Sequence, residues 1–488
     1  MAQRAPRARS TKKPRDPLLQ VVDAAPIPVR VREPSKATLL KEEKRLGQQE
    51  AASGGPQAGR STLEQARRKG VAGYLQLLGP GLVTGASDDD PSGIGTYAQV
   101  GSQFGFGMLW MALFTFPLMA AVQELCARIA LETGAGLAVG LKRKFPAWLV
   151  GIAVLSLLVA NTFNLGADLG AIAAGGELLS RGEVKAAWLL VPSAALVVFL
   201  QFFVTYATMF KVFKWLTLAL FAYVCAGFLA RPAVATVLIA TVVPHVELSR
   251  DFIQGMVAVL GTTISPYLFF WQASSEIDEL KAAGKTTEAA RRSVRAAELK
   301  AARLDIMIGM GFSQLIMYFI ILTSAATLHA HGKTDVQTAA EAAAALEPIA
   351  GSMAFALFAI GMIGTGLLAV PILSGSAAYA VKEFFGLKGS LAVNPRYRPT
   401  FYAVLAAATV AGLVMNLVHL DPIKALFWSA VLNGVVAPPL LVLIVLLGAD
   451  KQLMKSKVSG RLSKSLTSAA AVAMTLAAMA MFATLLLH

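Results

Sequence analysis

Three consecutive carboxylates, Asp88-Asp89-Asp90, stand before Pro91-Ser92-Gly93 inside an otherwise apolar stretch running from about residue 75 to residue 100. Charge is costly in a hydrocarbon interior, so acids there face a cavity and mark a path for an ion or substrate. Pro91 has no N–H to donate and disfavours helical geometry at the residue before it. Helix and charge therefore fail at one point, and a broken helix beside a carboxylate is a way to build a cation site at the membrane midplane. A second interruption, Thr262-Thr263-Ile264-Ser265-Pro266-Tyr267, brings hydroxyls and another proline into a second apolar run. The chemistry on offer is oxygen coordination of a cation.

Such a site needs a membrane scaffold, and the composition supplies one. The chain has 488 residues, 56% of them hydrophobic and 15% charged, with a mean hydropathy of +0.61. A soluble chain would carry about a quarter charged residues. The formal charge of +15 is uneven: residues 1–70 hold 16 Lys and Arg against 7 Asp and Glu. This segment has no apolar run, so it is read as neither signal peptide nor span. It is expected to be a disordered cytoplasmic arm near anionic lipid rather than nucleic acid, with a short helix around residues 39–50. The expected domains are this tail, a transporter core at 71–450, and a cytoplasmic loop with a final span at 451–488. Cys126 and Cys225 both lie in apolar segments and are expected to be buried, inert packing residues.

Runs long enough to cross a core of ~30 Å occur eleven times, at 75–100, 106–131, 148–178, 187–205, 213–230, 252–279, 304–329, 352–383, 400–418, 423–447 and 468–487. The connections alternate in charge. One side carries Lys142 to Lys144, Lys211 and Lys214, a cluster from Lys281 to Arg303, another from Lys382 to Arg398, and a last from Lys451 to Lys464. The other carries only scattered cations such as Arg181, Arg231, Lys333 and Lys424. The positive-inside rule then places the N-terminus in the cytoplasm and the C-terminus outside, in a bacterial plasma membrane. The interrupted spans are the first and the sixth. Five spans apart, they cross in opposite directions, as in an inverted repeat with its site between two broken helices. The expected fold class is all-α, a polytopic membrane protein whose spans 1–5 and 6–10 form a 5+5 inverted repeat.

Leu78-Gly79-Pro80-Gly81 leading to Asp90-Pro91, followed by Gly101-Ser102-Gln103-Phe104-Gly105-Phe106 and later by Gly261 to Tyr267, resembles the NRAMP family of divalent-metal transporters. The resemblance covers roughly residues 74–487 and implies a LeuT-type core with broken helices 1 and 6, alternating access, and a divalent cation held between spans 1 and 6. The departures are informative. The family's DPGN motif reads Asp90-Pro91-Ser92-Gly93, so the Asn ligand is replaced by Gly93. Its Met-Pro-His reads Ser265-Pro266-Tyr267, which removes a thioether and an imidazole. Its backbone-carbonyl ligand falls at Thr262 and its second sixth-span His at Gln272. Its third-span Asp-x-x-Glu reads Asp168 and Ala171, and its tenth-span Gln reads Ala430.

A thioether favours softer ions, whereas Mg²⁺ takes oxygen ligands and keeps several waters. With Asp90, the Ser265 hydroxyl, the Thr262 carbonyl and a freed carbonyl near Asp89 or Ser87, the first shell is all oxygen. Asp88 and Asp89 are expected to hold its waters. The pattern resembles the NRAMP-related magnesium transporters and points to Mg²⁺ first and Mn²⁺ second, with no cofactor and no obligate protein partner. Tyr267, Gln272 and Ala171 do not titrate near neutrality, so proton coupling is expected to be weak or absent. Asn161, Asn164 and Asp168 share one face of span 3 and offer a proton or water path, or simply a polar seam. The alternatives are a proton-coupled Mn²⁺/Fe²⁺ carrier, an intramembrane prenyltransferase using its acids for Mg²⁺-diphosphate, and a sodium-coupled amino-acid carrier, whose carboxylate substrate the three acids would repel. Glu124 is expected to pair with Arg128 one turn on. Glu276, Asp278 and Glu279 are expected to form a solvated helix end. His329, His331 and His419 are too scattered for a metal site, and the Gly361 to Gly375 run is read as close helix contact.

Overall fold

The computed structural model describes residues 79–204, 208, 218–285, 287–292, 294, 296–346, 351–391, 395–416, 422–454 and 460–486. The basic arm, its short helix and His419 lie outside the described residues. Every regular element among those described is helical. Eight helices are long and apolar enough to cross a membrane: α3 (Trp110–Thr133), α5 (Ala147–Leu179), α6 (Ala186–Phe203), the run Arg250–Ala282, α11 (a span over Glu298–His331), α12 (Ala354–Phe385), α14 (over Ile423–Gly448) and α15 (over Arg461–Thr484). The short α4 (Leu137–Lys144) joins α3 to α5. The ninth span is the shorter α13 (Pro399–Met415), and α7 (Phe221–Leu229) is the end of the fifth. A further apolar helix, α8 (Val234–Val242), buries none of its side chains.

The first span is two helices, α1 (Pro80–Asp88) and α2 (Pro91–Phe104). The Arg250–Ala282 run is likewise α9 (Arg250–Thr263) and α10 (Pro266–Ala282). Both breaks have the same backbone. Asp89 (φ −82°, ψ 50°) is followed by extended Asp90 (φ −69°, ψ 169°). Ile264 (φ −114°, ψ 58°) is followed by extended Ser265 (φ −76°, ψ 132°). Proline then opens the second half, where its missing N–H costs nothing and its fixed φ suits a helix start. Proline alone does not break these helices: Pro117, Pro192 and Pro371 lie inside continuous ones.

Glycine lets the broken spans pack backbone to backbone. A Cβ on Gly85 would sit 2.1 Å from the Gly309 carbonyl oxygen of α11, and one on Gly81 would sit 2.5 Å from the Ile306 nitrogen. This is a Gly-x-x-x-Gly face, which permits close approach where lipid supplies no hydrophobic drive. Gly261 meets Ala430 and Gly434 of α14 in the same way. In the glycine-rich α12, Gly366 packs on Ile172 and Gly375 on Leu391, the close contact expected for that run.

Two sequence expectations are corrected. Cys126 is buried, but Cys225 is exposed. The reason is that α7 turns Tyr223, Ala226 and Gly227 inward, which leaves residue 225 on the opposite side. Glu276 and Asp278 do not form a solvated end. Glu276 is buried, and the Asp278 carboxylate is enclosed by Tyr379 (2.7 Å), Ser390 (2.5 Å) and Lys281 (2.8 Å), because α12 and the segment after it fold over this end of α10. The Glu124–Arg128 pair does form.

Adding a methyl group at Gly85 or Gly309 is expected to lower the melting temperature in detergent by several degrees, the scale of an overpacked core at about 1–3 kcal/mol. Gly311→Ala, which would meet only Phe116 at 3.6 Å, is expected to be neutral. Equal melting temperatures for the three variants would refute the close-packing account.

Candidate metal site

Asp90 is the N-cap of α2. Its Oδ1 accepts the Gly93 N–H at 2.8 Å and the Ser92 hydroxyl at 2.6 Å, satisfying donors that a helix start otherwise leaves open. Its Oδ2 accepts the Asn164 amide N–H at 3.0 Å. The Ser429 hydroxyl lies 2.9 Å from Asn164 Oδ1 and 2.7 Å from the Leu426 carbonyl, and the acceptor-only Asp90 carboxylate orients the amide with its N–H toward Oδ2. The Tyr267 hydroxyl also approaches Oδ2, at 3.4 Å, but lies closer to the Ser87 carbonyl, at 2.9 Å. A phenol has one proton, so the short bond to Ser87 takes it. The Ser87 carbonyl expected as a free ligand is therefore capped, and Asp90 Oδ2 keeps room for one more partner.

Across the gap, the Ser265 hydroxyl donates to the Gly261 and Thr262 carbonyls at 2.8 and 2.6 Å. It closes the end of α9 and leaves its own lone pairs unspent. The Thr262 carbonyl is thus present at the break but already engaged. Gly93 contributes a backbone N–H to Asp90 and no ligand of its own. Asp88 and Asp89 turn toward α11, where the Ser313 hydroxyl lies 2.6 Å from Asp88 Oδ2 and 3.3 Å from Asp89 Oδ1. Asp88 Oδ1 and Asp89 Oδ2 are buried without a hydrogen-bond partner.

The structure brings Asp90, Asn164 and Tyr267 into one cluster, with Asp168 close enough to interact electrostatically with Asp90. Asp168 is wholly buried; the Ser92 backbone N–H points toward its carboxylate but falls short of a full hydrogen bond. Asn161 instead donates to the Leu373 carbonyl at 3.2 Å. Gln272 stands apart from Asp90. It accepts from Thr84 at 2.5 Å and donates to Glu276 at 3.0 Å, a polar line between α1 and α10. Among the described residues, no three His, Cys, Asp or Glu side chains converge as a metal cage. A cation here would rest on few carboxylates, neutral oxygens and retained water.

Sequence reasoning missed Asp305, Glu383 and Ser429. Asp305, on α11, accepts the Gly79 and Leu82 N–H groups at 2.9 and 3.0 Å through Oδ1 and the Gly81 N–H at 2.7 Å through Oδ2, capping α1 from another helix. Glu383 accepts the Ala138 N–H at 3.1 Å, capping α4, and the Ser274 hydroxyl at 2.9 Å. For the two acids the available signal was a carboxylate at the edge of an apolar run, Asp305 at the start of 304–329 and Glu383 at the end of 352–383, which is expensive unless it has work to do; Ser429 gave no such signal.

The sequence description of the Natural resistance-associated macrophage protein-like (Nramp) family matches residues 81–484. The chain belongs to the Nramp family. Among its relatives, the divalent metal cation transporter MntH of Deinococcus radiodurans is 26% identical over 408 residues, covering 83% of this chain and 88% of that one. The MntH of Klebsiella pneumoniae strain 342 is 24% identical over 388 residues, covering 79% and 89%. A solved manganese transporter of Eremococcus coleocola superposes with a TM-score of 0.63 at 17% identity over 83% of this chain and 86% of that one. Mhp1, a nucleobase-cation-symport-1 family transporter, superposes at 0.52 with 15% identity, covering 83% and 92%. This Nramp chain therefore has the all-α, LeuT-type inverted-repeat fold with broken helices 1 and 6, and the prenyltransferase reading is set aside.

Asp305→Ala is expected to destabilise the protein by about 2–4 kcal/mol, because three helix-start N–H groups lose a charged acceptor away from water. Asp305→Asn, which keeps one acceptor oxygen, is expected to cost less. Thermal unfolding in detergent checks both, and wild-type melting of the Ala variant would disprove the capping role.

Proposed function

We propose that this Nramp chain carries a divalent metal cation across the membrane by alternating access, with Mg²⁺ favoured and Mn²⁺ second. The observation that carries this reading is the oxygen-only lining of the paired helix breaks. Asp90 offers an unspent position on Oδ2, Ser265 offers its hydroxyl lone pairs, and no sulfur or imidazole takes the place of either. A hard ion bound by few carboxylates and keeping several waters fits such a lining. Asp88 and Asp89 would hold those waters. The relatives named as divalent metal transporters support cation transport in general, and the departures at Gly93, Ser265 and Tyr267 support the harder ion. Residues 71–450 form the transporter core in this reading, with 451–488 appended. The basic loops lie in the cytoplasm with the N-terminus, and the C-terminus lies outside.

Tyr267 and Gln272 hold the places of titrating histidines, so cation entry is not strictly tied to protons. A second reading, proton-coupled Mn²⁺ or Fe²⁺ transport, draws on Asp168. That carboxylate is buried beside Asp90 with only a loose approach from the Ser92 backbone N–H and could take up a proton, and a solved structural relative is named as a manganese transporter.

In proteoliposomes the wild type is expected to take up Mg²⁺ faster than Mn²⁺, and Asp90→Ala is expected to lower uptake of both by at least about tenfold, a loss of roughly 1.4 kcal/mol. Robust Mn²⁺ or Cd²⁺ uptake without Mg²⁺ would overturn the selectivity. With a pH-sensitive dye enclosed, Mg²⁺ uptake is expected to proceed without matched acidification. A fixed ratio of protons to metal, abolished in Asp168→Asn, would establish the second reading.

A further inference from the structure

Near the first break, Asp88 Oδ1 and Asp89 Oδ2 are buried without a hydrogen-bond partner, and beside them the Tyr97 hydroxyl and Thr262 Oγ1 have only a loose contact with each other, short of a full hydrogen bond. Their residues are at most 1% exposed. An unpaired polar group buried away from water is costly, and a carboxylate more so. Here the four share one neighbourhood. Ser313 engages one oxygen of each acid and leaves the others unspent. Tyr97 lies within electrostatic reach of Asp88 and Asp89 and beside Thr262. Gly93 faces the same place: a Cβ on it would stand 3.2 Å from Thr262 Oγ1, 3.3 Å from the Asp88 carbonyl oxygen and 3.3 Å from the Tyr97 ring. The family pattern puts Asn at this position, and its amide would extend into this space.

Two adjacent buried carboxylates call for a positive charge. Their recorded hydrogen bonds come from a neutral serine, with no lysine, arginine or histidine among them. The Asp90 carboxylate is committed elsewhere, to Ser92, Gly93 and Asn164.

We propose that the side of the break facing α11 is a second cation station, in which Asp88 Oδ1, Asp89 Oδ2, Thr262 Oγ1 and the Tyr97 hydroxyl hold the transported cation next to the Asp90–Ser265 position. The station rests on the cation-transport reading. It takes a hard divalent ion, since all its donors are oxygen. Thr262 is the wall shared by the two positions, its carbonyl toward Ser265 and its hydroxyl toward Gly93. The ion passes between them by exchanging Asp88 and Asp89 for Asp90 while Thr262 stays in place. Gly93, lacking a side chain, leaves Thr262 Oγ1, the Asp88 carbonyl and the Tyr97 ring uncovered on this side.

The test is Mn²⁺ and Mg²⁺ titration calorimetry on the full-length protein in nanodiscs. Asp90→Asn is expected to keep saturable binding of both ions, weakened by no more than about tenfold. In that background Thr262→Val, Tyr97→Phe or Gly93→Asn is expected to weaken binding by a further tenfold or so. Thr262→Val keeps side-chain shape and the backbone carbonyl, so it reports on the station if the bulkier Gly93→Asn protein fails to fold. Complete loss of binding in Asp90→Asn alone, or less than a twofold effect of both Thr262→Val and Tyr97→Phe in that background, overturns the station and leaves the transport reading standing. A wild type that binds neither ion overturns the transport reading, and the station with it.

Discussion

Hydrocarbon offers no water to a broken helix, and this constraint organises the centre of the molecule. Each interruption exposes N–H groups on one side and carbonyls on the other, which must be satisfied internally. The chain meets the demand with side chains set at the breaks. Asp90 caps α2 through the Gly93 N–H, Ser265 closes the Gly261 and Thr262 carbonyls at the end of α9, and Tyr267 covers the Ser87 carbonyl near the end of α1. The same groups are the oxygen donors available to a cation. In the proposed function, structural repair and ion coordination would fall to one set of atoms, and an ion entering the site would have to work around hydrogen bonds the fold already uses.

This double use links the site to the rest of the protein. Asp90 is bonded to Asn164 on α5, which meets the Ser429 hydroxyl on α14, while Tyr267 at the head of α10 reaches back to both Asp90 and α1. Four spans thus meet at one carboxylate. The Tyr267 approach at 3.4 Å is the longest of these contacts and already gives its proton elsewhere, so it yields first when a cation claims Asp90 Oδ2. Ligand binding at such a junction changes contacts on several helices together. That gives the ion the differential interaction with two arrangements that alternating access requires.

Much of this was legible in the sequence. The two breaks are spelled by Asp90-Pro91 and Ser265-Pro266, since acid or hydroxyl plus proline in an apolar run has few uses besides an interrupted helix. The resemblance to Nramp proteins drew on the same residues. Hydrogen-bond direction was not legible. Sequence alone put the Ser87 carbonyl among the free ligands, yet one phenolic proton from a residue 180 positions away covers it. Nor was the end of α10 legible: Glu276 and Asp278 read as a solvated terminus, yet Glu276 is buried and Asp278 half-buried because later segments cover them. Asp305 escaped notice because its partners are backbone N–H groups more than 220 residues earlier, and a backbone amide leaves no mark in side-chain patterning. Residue types show what chemistry a chain owns, while long-range capping is visible only once the helices are assembled.

Asp305 also bears on how the first span can move. Its carboxylate holds three N–H groups at the start of α1, and Gly81 and Gly85 bring the backbones of α1 and α11 into direct contact. Hydrogen bonds to a charged group are worth about 1.5–3 kcal/mol each. Separating the two helices inside a bilayer would surrender all three with no water to replace them. Sliding is equally obstructed, because the Gly85–Gly309 contact admits no side chain in its path. Within the protein, α1 and α11 therefore behave as a single body, and the points of bending are the two residues of each break, where the backbone leaves helical geometry. The place where the helix is weakest is also where the carboxylates sit, so a cation bound there bears directly on the joint.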